Sequence, residues 1–89
     1  MFYTYLLQST KNGKFYVGYT RDLKKRLREH NLGLNFSTKP YRPWKVIYYE
    51  ACCEQGDAKR RETYLKTTQG RSALKRRLKE FLYGNGSKN

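Results

Sequence analysis

Apolar and polar positions alternate at the start of the chain, which is the period of a β-strand. Residues 2–8 read FYTYLLQ, are rich in β-formers and divide their side chains between two faces. The pair Asn12-Gly13 follows, and an Asn-Gly pair is the strongest short-range signal for a hairpin turn. Residues 14–18, KFYVG, alternate again. The pattern predicts a β-hairpin.

A helical period begins after Thr20. Leu23 and Leu27 lie four residues apart and form the apolar side of the predicted helix. Thr20 is suited to be its N-cap, and Asp22 suits the positive end of the helix dipole in the first turn. Gly33 then predicts that the helix ends just before it.

A loop and a third strand are predicted next. Residues 33–44 are rich in turn-forming residues, and Pro40 and Pro43 exclude a helix there. Residues 45–52, KVIYYEAC, are again rich in β-formers and predict a strand.

The last part of the chain is predicted to form two helices. Asp57 can cap a helix over about 58–68, which Gly70 ends. A final helix over about 71–83 places four apolar side chains on one face: Leu74, Leu78, Phe81 and Leu82. The order is ββαβαα, so we expect an α/β fold in which a three-stranded sheet carries helices.

The charge narrows the class of partner. The 89 residues allow one domain, predicted to cover 1–83 with a flexible tail over 84–89. Twenty Lys and Arg against seven Asp and Glu give a net charge of +13. Such an excess on so small a body predicts a polyanionic partner, DNA or RNA rather than an anionic membrane.

The sequence also predicts the cellular compartment of the protein. No run approaches the roughly 18 apolar residues of a membrane span, and the start of the chain lacks a secretory signal. Cys52 and Cys53 are adjacent, so they cannot close a loop, and they lack the spacing of a zinc site. We therefore expect a cytoplasmic protein with reduced thiols and no membrane partner.

Five side chains could carry chemistry together. Tyr5 lies on one face of the first strand, and Tyr16 joins it if the hairpin register allows. Arg26 and His30 are four apart on the first helix and can aim at one spot. Glu62 is an acid among basic neighbours on a later helix. This set suits phosphodiester hydrolysis: a carboxylate for a divalent cation, a guanidinium for phosphate, and a phenol or imidazole for the proton of water.

The order and spacing of these five residues resemble the GIY-YIG nuclease superfamily. The phrases that carry the resemblance are Tyr16-Val17-Gly18, Asp22-Leu23-Lys24-Lys25-Arg26-Leu27 and Glu62-Thr63-Tyr64-Leu65-Lys66. More closely, the chain is similar to the single-domain branch of that superfamily and to the N-terminal nuclease module of the excision-repair subunit UvrC. The resemblance covers residues 2–75. It implies a three-stranded antiparallel sheet flanked by helices and a DNA endonuclease using one divalent cation, Mg²⁺ or Mn²⁺, in DNA repair or recombination.

The resemblance also implies a role for each residue. Tyr5 would be the last residue of the family's first signature and would position the attacking water or relay its proton. Tyr16 would be the first residue of the second signature and would contact the attacking water. Arg26 would stabilise the phosphate, and His30 would act in proton transfer or in positioning the nucleophile. Glu62 would be the carboxylate that anchors the metal.

Several positions depart from the family pattern or add to it. Tyr3-Thr4 stands where the name-giving Gly-Ile would be, and Tyr19 stands where repair-type members tend to carry lysine. Lys14 or Lys39 is a candidate for the missing cation. Gly18 is expected to let the backbone turn tightly from strand to helix, where a side chain could obstruct the site.

Several alternatives stay open. The run of cations and aromatics over 39–44 could hold a nucleic-acid strand, with Lys14, Lys39 and Arg42 as contacts. It could equally be a rigid loop with Trp44 tucked on the core. A catalytically silent DNA- or RNA-binding module is the alternative to a nuclease, and RNA the alternative to DNA. A protein partner or a homodimer could supply specificity.

Overall fold

The computed structural model describes residues 1–84. Its elements in chain order are β1 (Phe2–Ser9), β2 (Phe15–Thr20), α1 (Leu23–Asn31), one 3₁₀ turn (Lys39–Tyr41), β3 (Trp44–Cys52), α2 (Gln55–Leu65), α3 (Thr68–Arg77) and α4 (Lys79–Tyr83). The tail predicted over 84–89 lies, apart from Gly84, outside the described residues. No helix in the described range is long and apolar enough to cross a membrane.

The three strands form one antiparallel sheet in the order β2-β1-β3. The hairpin register pairs Tyr5 with Gly18 and Leu7 with Tyr16. On the other side of β1, Tyr5 pairs with Tyr49. The hairpin, the third strand and the antiparallel α/β fold predicted from the sequence and the resemblance are confirmed.

Helices cover both faces of the sheet. Leu23 and Leu27 of α1 pack on one face, against Tyr5, Leu7 and Trp44. On the opposite face Leu6 and Val17 meet the apolar side chains of α2 and α3, Leu65 and Leu74. Because the central strand is covered on both sides, four successive residues of β1 are buried, Thr4 to Leu7.

The start of α1 differs from the prediction by two residues. Asp22 is the N-cap, and its Oδ1 accepts a hydrogen bond of 3.1 Å from the Lys25 backbone N–H. The predicted cap, Thr20, is wrong because this residue still pairs with Tyr3 in the sheet. Its hydroxyl instead accepts the Asp22 backbone N–H at 3.1 Å. Gly33 follows the helix with a φ of +79°, as expected of a glycine past a helix end.

The bounds of α2 also differ from the prediction. The helix begins at Gln55, so Asp57 lies in its first turn and does not cap it. The Asp57 carboxylate instead accepts a hydrogen bond of 2.6 Å from Arg60. A carboxylate near the positive end of a helix is stabilising in either position, so the sequence signal is shared by the N-cap and the first turn.

Gly70 was predicted to end α2, and this is wrong, because it lies inside α3. Thr67 caps α3, with its hydroxyl accepting the Gly70 backbone N–H at 3.0 Å. A Cβ at position 70 would collide with the Tyr64 carbonyl oxygen and lie 2.5 Å from Leu65 Cα. The glycine is therefore needed for the close approach of two helices rather than for a helix end.

Two further predictions are corrected. The single helix predicted over 71–83 is divided at Leu78 into α3 and α4. The two prolines were expected to exclude helix from the loop, yet Pro40 lies in the first turn of the 3₁₀ segment. Proline is tolerated there because the N–H it lacks has no partner in a helix's first turn.

Candidate active site

The two tyrosines and the histidine meet on the face of the sheet that α1 covers. Tyr5 and Tyr16 lie on the same face, two residues apart in the hairpin register. The His30 imidazole packs edge-on against both rings, with centroid distances of 5.9 Å to Tyr5 and 5.1 Å to Tyr16. The fold thus brings together three of the five residues that the sequence singled out.

Gly18 makes room for Tyr5. A Cβ at position 18 would overlap the Tyr5 hydroxyl and lie 2.9 Å from the ring edge. Gly18 lies within β2 and has no positive φ, so the tight turn expected of it is wrong. The expectation that a side chain there would obstruct the site agrees with this geometry.

A chain of hydrogen bonds links Tyr5 to a residue that the sequence analysis missed. The Tyr5 hydroxyl lies 2.9 Å from His30 Nε2, and His30 Nδ1 lies 2.7 Å from the Thr38 hydroxyl oxygen. Thr38 in turn donates to the Asn35 carbonyl at 3.4 Å. Because the Thr38 proton is used in that bond, the Thr38 oxygen accepts a hydrogen bond from His30 Nδ1–H. His30 Nε2 then carries no proton and accepts a hydrogen bond from the Tyr5 hydroxyl. No pattern in the sequence identifies Thr38, because only the loop's tertiary path brings it to His30.

Burial determines the protonation states of these hydrogen-bonded side chains. The His30 side chain is 0% exposed, and Tyr5 is 2% exposed. Burial raises the pKa of Tyr5 to about 12, against an opposing hydrogen bond from Arg26. Burial, aided by the positive charge of Arg26, lowers the pKa of His30 to about 4. At neutral pH the tyrosine is therefore a phenol and the histidine a neutral hydrogen-bond acceptor.

Arg26 connects this buried chain to the surface. Its guanidinium donates to the Tyr5 hydroxyl and, through Nη1, to Glu29 Oε1 at 3.0 Å. The side chain is 33% exposed. A guanidinium has five N–H donors, so Arg26 can keep both contacts and still meet a phosphate from solvent.

Glu62 reaches the same region from α2. Its negative charge is one of the influences that raise the Tyr5 pKa. One turn further along the helix, Lys66 Nζ lies 3.1 Å from Glu62 Oε2 and 6.0 Å from the centroid of the Tyr16 ring. Lys66 was not predicted as a site residue. It is the ammonium in contact with both Glu62 and Tyr16.

The surroundings of Glu62 are compatible with a divalent cation. The carboxylate is partly exposed, and its pairing with Lys66 is of the kind that water or a stronger cation replaces. Within residues 1–84 no group of three or more His, Cys, Asp or Glu could hold a metal. Mg²⁺ is commonly held by one or two carboxylates, with waters and substrate phosphates as the other ligands. A single carboxylate therefore suits a cation whose other ligands are waters or phosphate oxygens.

Two of the residues that depart from the family pattern, Thr4 and Tyr19, pair with each other on the face of the hairpin opposite to Tyr5, and Tyr3 packs edge-on against Tyr49. The Tyr19 ring lies under Lys59, with Nζ 5.7 Å from its centroid. Lys14, one candidate for the missing cation, lies over the Tyr41 ring at 4.6 Å. Lys39, the other candidate, belongs to the 3₁₀ turn.

The three predicted nucleic-acid contacts belong to one region, formed by the hairpin turn and the loop before β3. Lys14 lies over Tyr41 of the loop, and Arg42 donates from Nε to the Lys39 carbonyl at 3.0 Å. All three cations are exposed. Trp44 is buried and donates from Nε1 to the Thr38 carbonyl at 2.9 Å, which confirms the reading of this residue as part of the core.

Comparison with known proteins gives a consistent result. A family model described as "GIY-YIG catalytic domain" matches residues 1–75. The chain is 35% identical over 74 residues to a UPF0213 protein of Staphylococcus saprophyticus, covering 82% of this chain and 89% of the relative. It is 37% identical over 79 residues to the UPF0213 protein YazA of Bacillus subtilis, covering 82% and 80%. A UPF0213 protein of Streptococcus pneumoniae is 32% identical over 88 residues, covering 98% and 83%. No solved structure gives a significant match.

Proposed function

Because the chain belongs to the GIY-YIG family, whose domain has a nuclease-type function, we propose that it is an endonuclease that hydrolyses DNA phosphodiester bonds with one divalent cation, Mg²⁺ or Mn²⁺. The observation that carries the proposal is a cluster around the Tyr5–His30 hydrogen bond, in which the Arg26 guanidinium and the Glu62 carboxylate both act on the Tyr5 hydroxyl. Its members are Tyr5, Tyr16, Arg26, His30 and Glu62.

Glu62 would hold the cation, and Lys66 would give up its ion pair with Glu62 when the cation arrives. When bound, the cation would neutralise charge on the phosphate and make its phosphorus more susceptible to attack. Arg26 would donate two N–H groups to the phosphate oxygens and stabilise the charge that builds on them in the transition state.

Tyr16 is the phenol best placed to meet the attacking water, because its ring is only partly buried while Tyr5 is enclosed. In its phenolate form Tyr16 would accept the water's hydrogen bond and take its proton, becoming a phenol, as the water oxygen bonds to phosphorus and the bond to the leaving oxygen breaks. The leaving oxygen would take a proton from solvent. His30 is fully buried, so it would act as a positioning residue through Tyr5 and Tyr16. Tyr5 would keep Arg26 and His30 in place.

The test compares Glu62→Gln with Glu54→Gln, which removes the same charge from the exposed N-cap of the same helix. Purified proteins are incubated with supercoiled plasmid and with branched DNA, in Mg²⁺, in Mn²⁺ and in chelator. We expect metal-dependent nicking by wild type and Glu54→Gln, and a loss of about 100-fold or more in Glu62→Gln. A Glu62→Gln protein that folds and nicks as well as wild type would refute the role of this carboxylate.

A second candidate is supported by the Lys66–Glu62 pair, which opposes metal binding. On this reading the chain is a nucleic-acid-binding module of the same fold without turnover. It predicts binding whose logarithmic affinity falls linearly with the logarithm of salt concentration, and no product in any metal. Running matched DNA and RNA substrates side by side tests the preference for DNA, and branched substrates test a place in repair or recombination.

A further inference from the structure

The segment between α1 and the 3₁₀ turn exposes three large apolar side chains. Leu32, Leu34 and Phe36, here called the apolar tip, are 61%, 71% and 93% exposed. Phe36 is the most exposed large hydrophobic residue in the described part of the chain. Single exposed apolar residues are common, but three within five residues of one loop concentrate apolar surface of the kind that marks an interaction site.

The apolar tip belongs to an ordered loop that is attached to the candidate active site. At its far end the Thr38 hydroxyl contacts His30 Nδ1 at 2.7 Å. At its near end the Leu34 backbone N–H donates to the Glu29 carbonyl at 3.0 Å. Between these points Asn35 Oδ1 accepts the Ser37 N–H at 3.0 Å. The exposure of the tip is therefore held by specific hydrogen bonds next to the catalytic cluster.

The surroundings of the tip are positively charged. From His30 to Tyr49 the sequence contains no Asp or Glu. Arg42 lies against the loop, since a Cβ on Gly33 would be 2.6 Å from its Nη1. Exposed Arg28 and Lys39 flank the same segment in the chain. The acid nearest to the tip in the chain, Glu29, is paired with Arg26. An apolar tip beside exposed cations is complementary to an anionic ligand that also offers apolar faces.

We propose that the apolar tip binds unpaired bases of the nucleic-acid substrate beside the scissile phosphate, with Phe36 stacking on one base and the neighbouring cations contacting phosphates. This inference rests on the proposed function, since it assigns the structural preference of the same site. Unpaired bases have free π-faces, whereas duplex bases must first be unstacked at a cost. The protein would therefore prefer flaps, loops or branch points to uniform duplex.

The test measures binding in the Glu62→Gln background, where no cleavage intervenes, using fluorescence anisotropy with a flap DNA and a fully paired duplex at fixed salt. Phe36→Ala should bind the flap about 5- to 150-fold more weakly, the range for losing one stacked base, and the duplex almost unchanged. Phe81→Ala is the matched control, because it removes a second exposed phenyl ring, which lies on α4 and is 49% exposed. Phe36→Trp should restore flap binding.

A second readout reports stacking directly. A 2-aminopurine placed among the unpaired bases should be quenched by the Glu62→Gln protein and less so when Phe36 is also Ala. Equal affinities of Phe36→Ala and its parent for both DNAs would overturn the inference, as would an equal loss on both. A homodimer that Phe36→Ala dissolves would overturn it in favour of a second copy as occupant.

The outcomes separate this inference from the nuclease proposal. Flap preference and quenching that depend on Phe36, without metal-dependent cleavage by wild type, would leave the base contact standing and remove the nuclease. Metal-dependent cleavage without any flap preference would leave the nuclease proposal standing and overturn the base contact.

Discussion

Protonation of His30 should destabilise the protein in acid, because the imidazole is enclosed and both ring nitrogens are already in use. Nε2 faces the Tyr5 hydroxyl at 2.9 Å and Nδ1 the Thr38 hydroxyl at 2.7 Å. A second ring proton would remove the acceptor that Tyr5 uses and place a charge in a buried site near Arg26. The pKa in the folded protein is lowered from 6.5 to about 4.

The direction and size of the effect follow from that pKa difference. Between about pH 4 and pH 6.5 the unfolded chain binds more protons than the folded one, so stability is complete above this window and falls as the pH is lowered through it. Each pKa unit corresponds to about 1.4 kcal/mol, so the full difference is about 3 kcal/mol. Between pH 7.5 and pH 4.5 we expect His30 to contribute a loss of about 2.5 kcal/mol.

Urea unfolding of wild type and His30→Gln at the two pH values measures this contribution, with the single tryptophan, Trp44, as the probe. Carboxylates also titrate at pH 4.5, so the quantity of interest is how much more stability wild type loses than the variant does. We expect a difference of about 2.5 kcal/mol. His30 is the only histidine, so its NMR titration is unambiguous and should have a midpoint near pH 4. A midpoint near 6.5, or equal losses in the two proteins, would refute this account of the site.

Two glycine substitutions test the close approaches. Gly18→Ala places a methyl group against the enclosed Tyr5 hydroxyl, and we expect it to lower the free energy of unfolding by about 1–3 kcal/mol and to reduce nicking of plasmid; unchanged stability and activity would contradict this. Gly70→Ala forces α3 away from the Tyr64 carbonyl and should cost about 2 kcal/mol or more in urea unfolding. In the control Gly56→Ala the new methyl group meets no atom within 4 Å, so the substitution should stabilise α2 by about 0.5–1 kcal/mol. Similar changes in stability at positions 56 and 70 would show that close packing is not the reason for glycine at position 70.

Elements defined by local interactions were predicted well. The hairpin follows from alternation and an Asn-Gly turn, and the observed strands lie within two residues of the predicted bounds. The first helix follows from Leu23 and Leu27, both of which pack on the sheet. In each case the signal and the contact that it predicts lie within a few residues of each other.

Where one residue type serves two purposes, the sequence was misleading. Glycine is common at helix ends, so the pattern predicts one at Gly70, yet the role of Gly70 is to let α3 approach the backbone of Tyr64 and Leu65. Thr20 was read as a cap, but it remains paired in the sheet. A local pattern does not distinguish these uses, since the deciding partner is distant along the chain or on another strand.

For the candidate site, too, the sequence determined one part and the tertiary structure another. The sequence alone determined which five side chains to examine, because residue type and spacing reflect the chemistry of phosphodiester hydrolysis and of the family that the chain resembles. The tertiary structure alone decided that His30 is enclosed and linked to Thr38, and that Lys66 rather than Lys14 or Lys39 contacts Glu62 and Tyr16. Burial and hydrogen-bond partners determine protonation, and both depend on how the loop before β3 and the helix after it fold back on the sheet.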